Sequence, residues 1–249
     1  MRIALNAVGE IGTRTGRILA AERDLVALGL YGDHSGMAQD RRTLAISSLD
    51  GFDVLVTDDG EASSALAGLA VEDGLACAVP GVITPAVAER FSRAKKAVLT
   101  KCSLSGLAET LAVHEAARTD RPLDTVIAWT EHGKPRRRGT PVAFPDPVGA
   151  RWGRRVGPLA EVTRIAVPLD GPWAGATATV VGKVGDTTAT RIVGVADARD
   201  HLEALALAAG AVVATQTDLS GPIQPHHVAE LYLTTALRMG LGVATYTLD

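Results

Sequence analysis

Up to about residue 122 the chain alternates short apolar runs with amphipathic stretches, a rhythm that restricts the fold to successive βα units on a parallel sheet. Ile3 to Ala7, Leu25 to Tyr31, Asp53 to Thr57, Leu75 to Val79 and Ala97 to Thr100 read as buried strands, because each is brief and apolar nearly throughout. The intervening segments carry helical spacing. Glu10 to Glu22 places Ile11, Ile18 and Leu19 on one side, and Ser63 to Val71 follows the third apolar run. Thr84-Pro85 supplies an N-cap and a first-turn proline to a helix with Val87 and Phe91 one turn apart. Leu104, Leu107, Leu111 and Val113 mark a further helix. Aromatic residues make up only 4% of a chain that is 47% hydrophobic, so the core is built from Ala, Val and Leu, which suits helices lying close on a sheet.

The rhythm changes after Asp120-Arg121-Pro122. The apolar segment Thr125 to Trp129 is followed by a stretch rich in Pro, Gly and Arg, and then by three strand-like runs without helical interruption: Val162 to Leu169, Ala176 to Val184 and Thr187 to Val195. Gly185-Asp186 between the last two is a tight hairpin signal, so these strands are expected to be antiparallel. Helical spacing returns at Leu202, Leu205, Ala209 and Val212, and again from Pro225 through Val228, Leu231 and Leu237 to a stop at Gly240. The expected organisation is an α/β domain over residues 1–122, then a smaller α+β domain over 123–249 with an antiparallel or mixed sheet. The C-terminal helix is free to pack back on the first domain.

Charge and cysteine content narrow the functional classes. Charged residues are 21% of the chain and the net charge is −3, which argues against a polybasic nucleic-acid surface and against a disordered acidic tail. Cys77 and Cys102 are too few for a disulfide scaffold and lack metal or redox spacing, which points to a reducing, cytoplasmic setting. No apolar run approaches the length of a membrane span, and the first residues do not have the pattern of a secretion signal. No membrane partner is expected.

The turn between the first strand and first helix reads Ala7-Val8-Gly9-Glu10-Ile11-Gly12. It departs from G-x-G-x-x-G in having Ala7 at the first glycine. Gly9 still lets backbone approach a diphosphate, and Gly12 lets helix and strand pack closely. The amides and positive dipole end near Glu10 and Ile11 then face the phosphates. Asp33, about twenty residues beyond Gly12, suits the hydroxyls of an adenosine ribose, which favours NAD. His34, Arg41 and Arg42 follow closely and suit a 2′-phosphate, so NAD and NADP both stay open. Asp58, in Thr57-Asp58-Asp59-Gly60, ends the third apolar run, where it either lines the nicotinamide half of the cofactor or caps the next helix.

Lys101 closes the strand Ala97 to Thr100, so its ammonium can donate to a reacting oxygen or nitrogen and stabilise charge that develops there. Cys102 beside it is either a thiolate nucleophile or a small buried thiol. His132 ends the strand of the second region and is a candidate proton donor and acceptor, imidazole being the side chain suited to that task near neutral pH. Lys134, Arg136, Arg137 and Arg138 suit an anionic substrate, a cofactor phosphate or a solvated loop. His226 and His227 are adjacent, so they project differently from a helix and are not expected to share a metal.

Ile3 to Gly12, Asp33 and Val98-Leu99-Thr100-Lys101 together resemble the two-domain NAD(P)-dependent oxidoreductases of the saccharopine-dehydrogenase-like and glucose-fructose-oxidoreductase/inositol-dehydrogenase-like groups. Lys101 looks like the strand-end lysine that members of the second group use beside the nicotinamide. Cys102 stands where that group commonly has proline, and Phe144 to Gly149 is similar to a Pro-rich segment of saccharopine-reductase-like proteins. The resemblance implies a Rossmann-type cofactor domain and an α+β domain that supplies the substrate pocket and often a dimer face. The expected activity is hydride transfer between NAD or NADP and a C=O or C=N carbon of a small polar molecule, in a homodimer or higher homo-oligomer. Two alternatives remain: a regulatory or sensor module that binds a dinucleotide without chemistry, and an enzyme using Cys102 without a nucleotide.

Overall fold

The structure is a computed structural model that describes residues 1–7, 9–32, 41–157, 162–216 and 218–248. The first elements are β1 (Arg2–Asn6), α1 (Glu10–Ala20), β2 (Ala27–Tyr31), β3 (Thr43–Ile46), β4 (Val54–Thr57) and α2 (Ser63–Glu72). They are followed by β5 (Ala76–Ala78), α3 (Pro85–Ala94), β6 (Ala97–Leu99), α4 (Leu104–Ala116) and β7 (Arg121–His132). Next come β8 (Thr140–Ala143), β9 (Ala150–Arg155), β10 (Val162–Leu169), β11 (Trp173–Val184) and β12 (Thr187–Ala198). The chain closes with α5 (Arg199–Ala214), β13 (Gly221–Ile223), the 3-10 turn Pro225–Val228, α6 (Ala229–Arg238) and β14 (Ala244–Leu248). None of the helices among the described residues is long and apolar enough to cross a membrane.

The chain forms two compact units. The first comprises Met1–Ser103 and Glu203–Gly240. Its seven strands run in the order β13-β6-β5-β4-β1-β2-β3, all parallel, so every strand presents its carboxyl end at the same edge. Ala4, Leu55, Cys77 and Val98 meet Ala67 and Ala70 of α2 and Phe91 of α3 in one core cluster, all at or near zero exposure. These are mostly small residues, as the scarcity of aromatics requires. α5 approaches closely enough that Gly210 has no room for a Cβ beside the Cys102 sulfur. The buried Tyr232 hydroxyl of α6 donates to the Ala206 carbonyl of α5 at 2.6 Å.

The second unit comprises Leu104–Leu202 and Leu241–Asp249. Its strand order is β14-β12-β11-β7-β10-β9-β8. α4 falls within the 1–122 span expected for the first domain, yet it packs on β7, β11 and β12 of this sheet. Buried Glu115 of α4 anchors it, pairing with Arg191 of β12 at 2.7 Å and Arg118 at 3.1 Å, while Glu109 pairs with Arg164 of β10 at 3.2 Å. Side chains alternate across a sheet, so Ile165 and Val167 face the other way. There they pack with Val142, Phe144 and Val148.

β11 and β12 form the expected antiparallel hairpin, with Val184 opposite Thr187 and Gly185 at φ 60° in the turn. β10 departs from the expectation. It pairs in parallel with β7 and antiparallel with β9, so the three consecutive runs are not consecutive neighbours. The Pro/Gly/Arg-rich stretch also contains the short strands β8 and β9, which its composition conceals. Phe144 to Gly149 lies on the sheet over glycines: a Cβ at Gly175 would come within 2.9 Å of the Phe144 ring, and one at Gly194 within 2.9 Å of Pro145.

Candidate functional site

The candidate site is built at the carboxyl edge of the first sheet, where β1 turns into α1. Gly9 is the N-cap of α1 in an extended conformation, and the first intrahelical bond runs from the Thr13 amide to the Gly9 carbonyl at 3.0 Å. Gly12 packs directly on the strand: an added Cβ would lie 2.7 Å from the Ala7 Cα. Such close approach of helix to strand is the role expected of this glycine. Ala7 and Ile11 are half-buried, whereas Gly9 and Glu10 are exposed.

Asp58 brings a carboxylate into this corner. Its Oδ2 accepts hydrogen bonds from the Gly9 amide at 3.1 Å and the Gly12 amide at 2.8 Å. Among the described residues, the amides of Glu10 and Ile11 have no partner. The amino end of α1 is therefore divided. Asp58 holds two of its donors, and the two between them face outward with the positive end of the helix dipole behind them. A diphosphate fits the Glu10 and Ile11 amides, so the corner suits that group on half of the donors.

Neighbouring strand ends fix the frame. The Thr57 hydroxyl donates to Asn6 Oδ1 at 3.1 Å, and Asn6 Nδ2 donates to the Tyr31 carbonyl at 3.1 Å, which ties together the ends of β4, β1 and β2. Asp59 caps the approach to α2, its Oδ1 accepting from the Glu61 and Ala62 amides at 2.9 Å each. Asp58 therefore does not cap the next helix: Asp59 holds the turn that leads into α2, and Asp58 holds the glycine turn.

Lys101 follows β6 at the same edge, half-buried and in the left-handed region with φ 55°. Its amide donates to the Gly81 carbonyl at 2.8 Å, and its carbonyl accepts from the Ser103 amide at 2.8 Å. A left-handed conformation is costly for a residue with a Cβ and is characteristic of sites where the surrounding structure holds a side chain for function. Cys102 is buried, and burial pushes its thiol well up, with a smaller upward contribution from Cys77. It is kept as a protonated thiol, which removes the basis for a thiolate nucleophile.

Asp33 and His34 lie outside the described residues. Arg42 donates to the Ala20 carbonyl at 3.0 Å and the Leu25 carbonyl at 3.4 Å, near the end of α1 and before β2. It serves the chain at the amino edge of the sheet and is not placed for a 2′-phosphate. His132 ends β7 in the second unit, exposed and paired in register with Leu169. The basic residues 134–138 after it are exposed too.

Sequence reasoning missed β13, only three residues long. It adds to β6 in parallel, and the Thr100 amide donates to the Ile223 carbonyl at 2.9 Å. This register brings the 3-10 turn Pro225–Val228 to the edge that carries Lys101. Gln224 and His227 form a reciprocal capping box in which His227 Nδ1 accepts from the Gln224 amide at 3.2 Å, leaving the proton of the neutral ring on Nε2. Gln224, Pro225 and His227 at N-cap, first and third positions were the available signal.

No family model and no curated protein matches the chain. Solved structures do. The dihydrodipicolinate reductase of Paenisporosarcina sp. TG-14, with dipicolinate bound, is 12% identical over 92% of this chain and 99% of its own, with a TM-score of 0.54. The DAP dehydrogenase of C. glutamicum, in complex with DAP, is 12% identical over 93% and 95%, with a TM-score of 0.58. An engineered D-amino acid dehydrogenase bound to NADP+ is 14% identical over 93% and 95%, with a TM-score of 0.55. At such identity the likeness is one of fold: the chain shares its architecture with these reductase and dehydrogenase structures.

Proposed function

We propose that this protein is an NAD(P)-dependent oxidoreductase that moves a hydride between nicotinamide and a C=O or C=N carbon of a small polar molecule. The observation that carries the reading is the carboxyl edge of the all-parallel sheet, where the Glu10 and Ile11 amides face outward from a glycine turn and Lys101 is held in a left-handed backbone. Ligands of open parallel sheets bind at that edge, and helix amino ends suit phosphate. The fold shared with a dehydrogenase bound to NADP+ supports the same assignment.

The nicotinamide cofactor would supply the hydride chemistry, and the chain's own residues orientation and electrostatics. The Glu10 and Ile11 amides bind a diphosphate. The Lys101 ammonium donates to the substrate oxygen or nitrogen and stabilises the negative charge that builds there as hydride arrives. A proton taken up at that oxygen or nitrogen balances the reaction.

Calorimetric titration with NADH and NADPH tests this reading, together with thermal unfolding in each, since a ligand specific for the native state raises its apparent stability. Saturable binding of either supports it, and binding of neither overturns it. Binding without turnover across carbonyl and imine substrates would identify a sensor module.

A further inference from the structure

We propose that Asp58 sets the dinucleotide affinity of this site by opposing the diphosphate at the amino end of α1, an inference that rests on the reading above. Asp58 Oδ2 takes the Gly9 and Gly12 amides at 3.1 and 2.8 Å, and the donors left for a phosphate, Glu10 and Ile11, lie between those two in the sequence. Successive residues rise only about 1.5 Å along a helix, so a phosphate on Glu10 and Ile11 comes within a few ångströms of the carboxylate.

The carboxylate is seated against the helix backbone. A Cβ on Gly12 would lie 2.7 Å from Oδ2, so the oxygen occupies the space that the missing side chain leaves. Nor is its backbone free to drift. Thr57 before it is bonded to Asn6, and Asp59 after it holds the Glu61 and Ala62 amides. Diphosphate and carboxylate therefore share one helix dipole and repel each other in a half-buried corner, where salt screens less than at an open surface. The same two hydrogen bonds hold the glycine turn in its binding conformation. Asp58 is thus a positioning residue whose charge lowers the affinity of the site it shapes.

Asp58→Asn separates the two effects, because the amide oxygen still accepts from Gly9 and Gly12 while the charge is gone. Dissociation constants for NADH and NADPH are measured by fluorescence titration for wild type, Asp58→Asn and Asp58→Ser, with adenosine measured by displacement and unfolding midpoints recorded for all three. Asp58→Asn should bind both dinucleotides about tenfold tighter, with adenosine, which has no phosphate, unchanged. Asp58→Ser, smaller and also uncharged, shows the same direction and stands in if the asparagine variant does not fold. Dinucleotide binding no tighter than wild type overturns the inference and leaves the proposed function in place. An equal gain for adenosine also overturns it, since that reports a loosened pocket and not a lost charge. Absence of dinucleotide binding in all three proteins removes the proposed function and this inference with it.

Discussion

Gly12 lies so close to Ala7 that a Cβ on the glycine would come within 2.7 Å of the Ala7 Cα. That clearance belongs to backbone, which cannot move aside as a flexible side chain can. Gly12→Ala is therefore expected to cost about 2 kcal/mol of stability through overpacking, read as a lowered urea midpoint, and to weaken dinucleotide binding as α1 shifts off β1. An unchanged midpoint would contradict the contact.

Lys101 tests the chemistry independently. Lys101→Met keeps the stem and removes the ammonium, so turnover should drop by about a hundredfold or more, with dinucleotide affinity close to that of wild type. Lys101→Gly loses the same turnover without the steric penalty of a left-handed backbone at φ 55°. It should unfold no more readily than wild type. Retained turnover in the methionine variant would acquit the residue.

Cys77 gives the protein an alkaline limit. Burial pushes its thiol up from 9.0 to about 12, partly offset by a backbone hydrogen bond involving Ala78. Below pH 9.0 the thiol is protonated in both folded and unfolded chains, and its burial is fully tolerated. Between 9.0 and about 12 the unfolded chain releases the proton and the folded one holds it. Stability then falls with rising pH by about 1.4 kcal/mol per unit from this residue. Urea unfolding across that range should show the advantage of wild type over Cys77→Ala shrinking as pH rises, and a constant difference would refute the assignment.

Glu115 is the ionic anchor of α4. Its side chain is 2% exposed and sits 2.7 Å from Arg191, itself 22% exposed. Glu115→Ala strands a partly buried guanidinium, which should lower stability by about 2 kcal/mol. The double variant with Arg191→Met should recover part of that loss, because no unpaired charge remains. A double variant no better than the single one would show that the pair does not couple.

Local chemistry made much of the first unit legible. Strands β2, β4, β5 and β6 lie within the runs that apolar patterning marks, β1 overlaps its run from Ile3 to Asn6, and Thr84-Pro85 starts α3 at the expected residue. The hairpin at Gly185-Asp186 was equally readable, since a two-residue turn is written in its own sequence. β8, β9 and β13 were not, because they carry Pro, Gly or Arg where the equally short β4, β5 and β6 lack all three, and no local signal set β3 apart. α4 misled for another reason. Its sequence reads as a βα helix like the others, and long-range pairings, Glu115 with Arg191 and Glu109 with Arg164, reveal which sheet it serves.

The candidate site divides the same way. The amino-acid order alone placed a glycine turn at the mouth of α1 and a lysine at the end of β6, since both follow from residues adjacent in the chain. It left Asp58 between two roles, and it had no means of finding the Thr100 to Ile223 contact, which spans 123 positions. Those were decided by the parallel sheet, which collects strand ends distant in sequence at one edge. A carboxylate 46 positions from Gly12 meets its amide there because tertiary packing, and not local propensity, decides which groups share a corner.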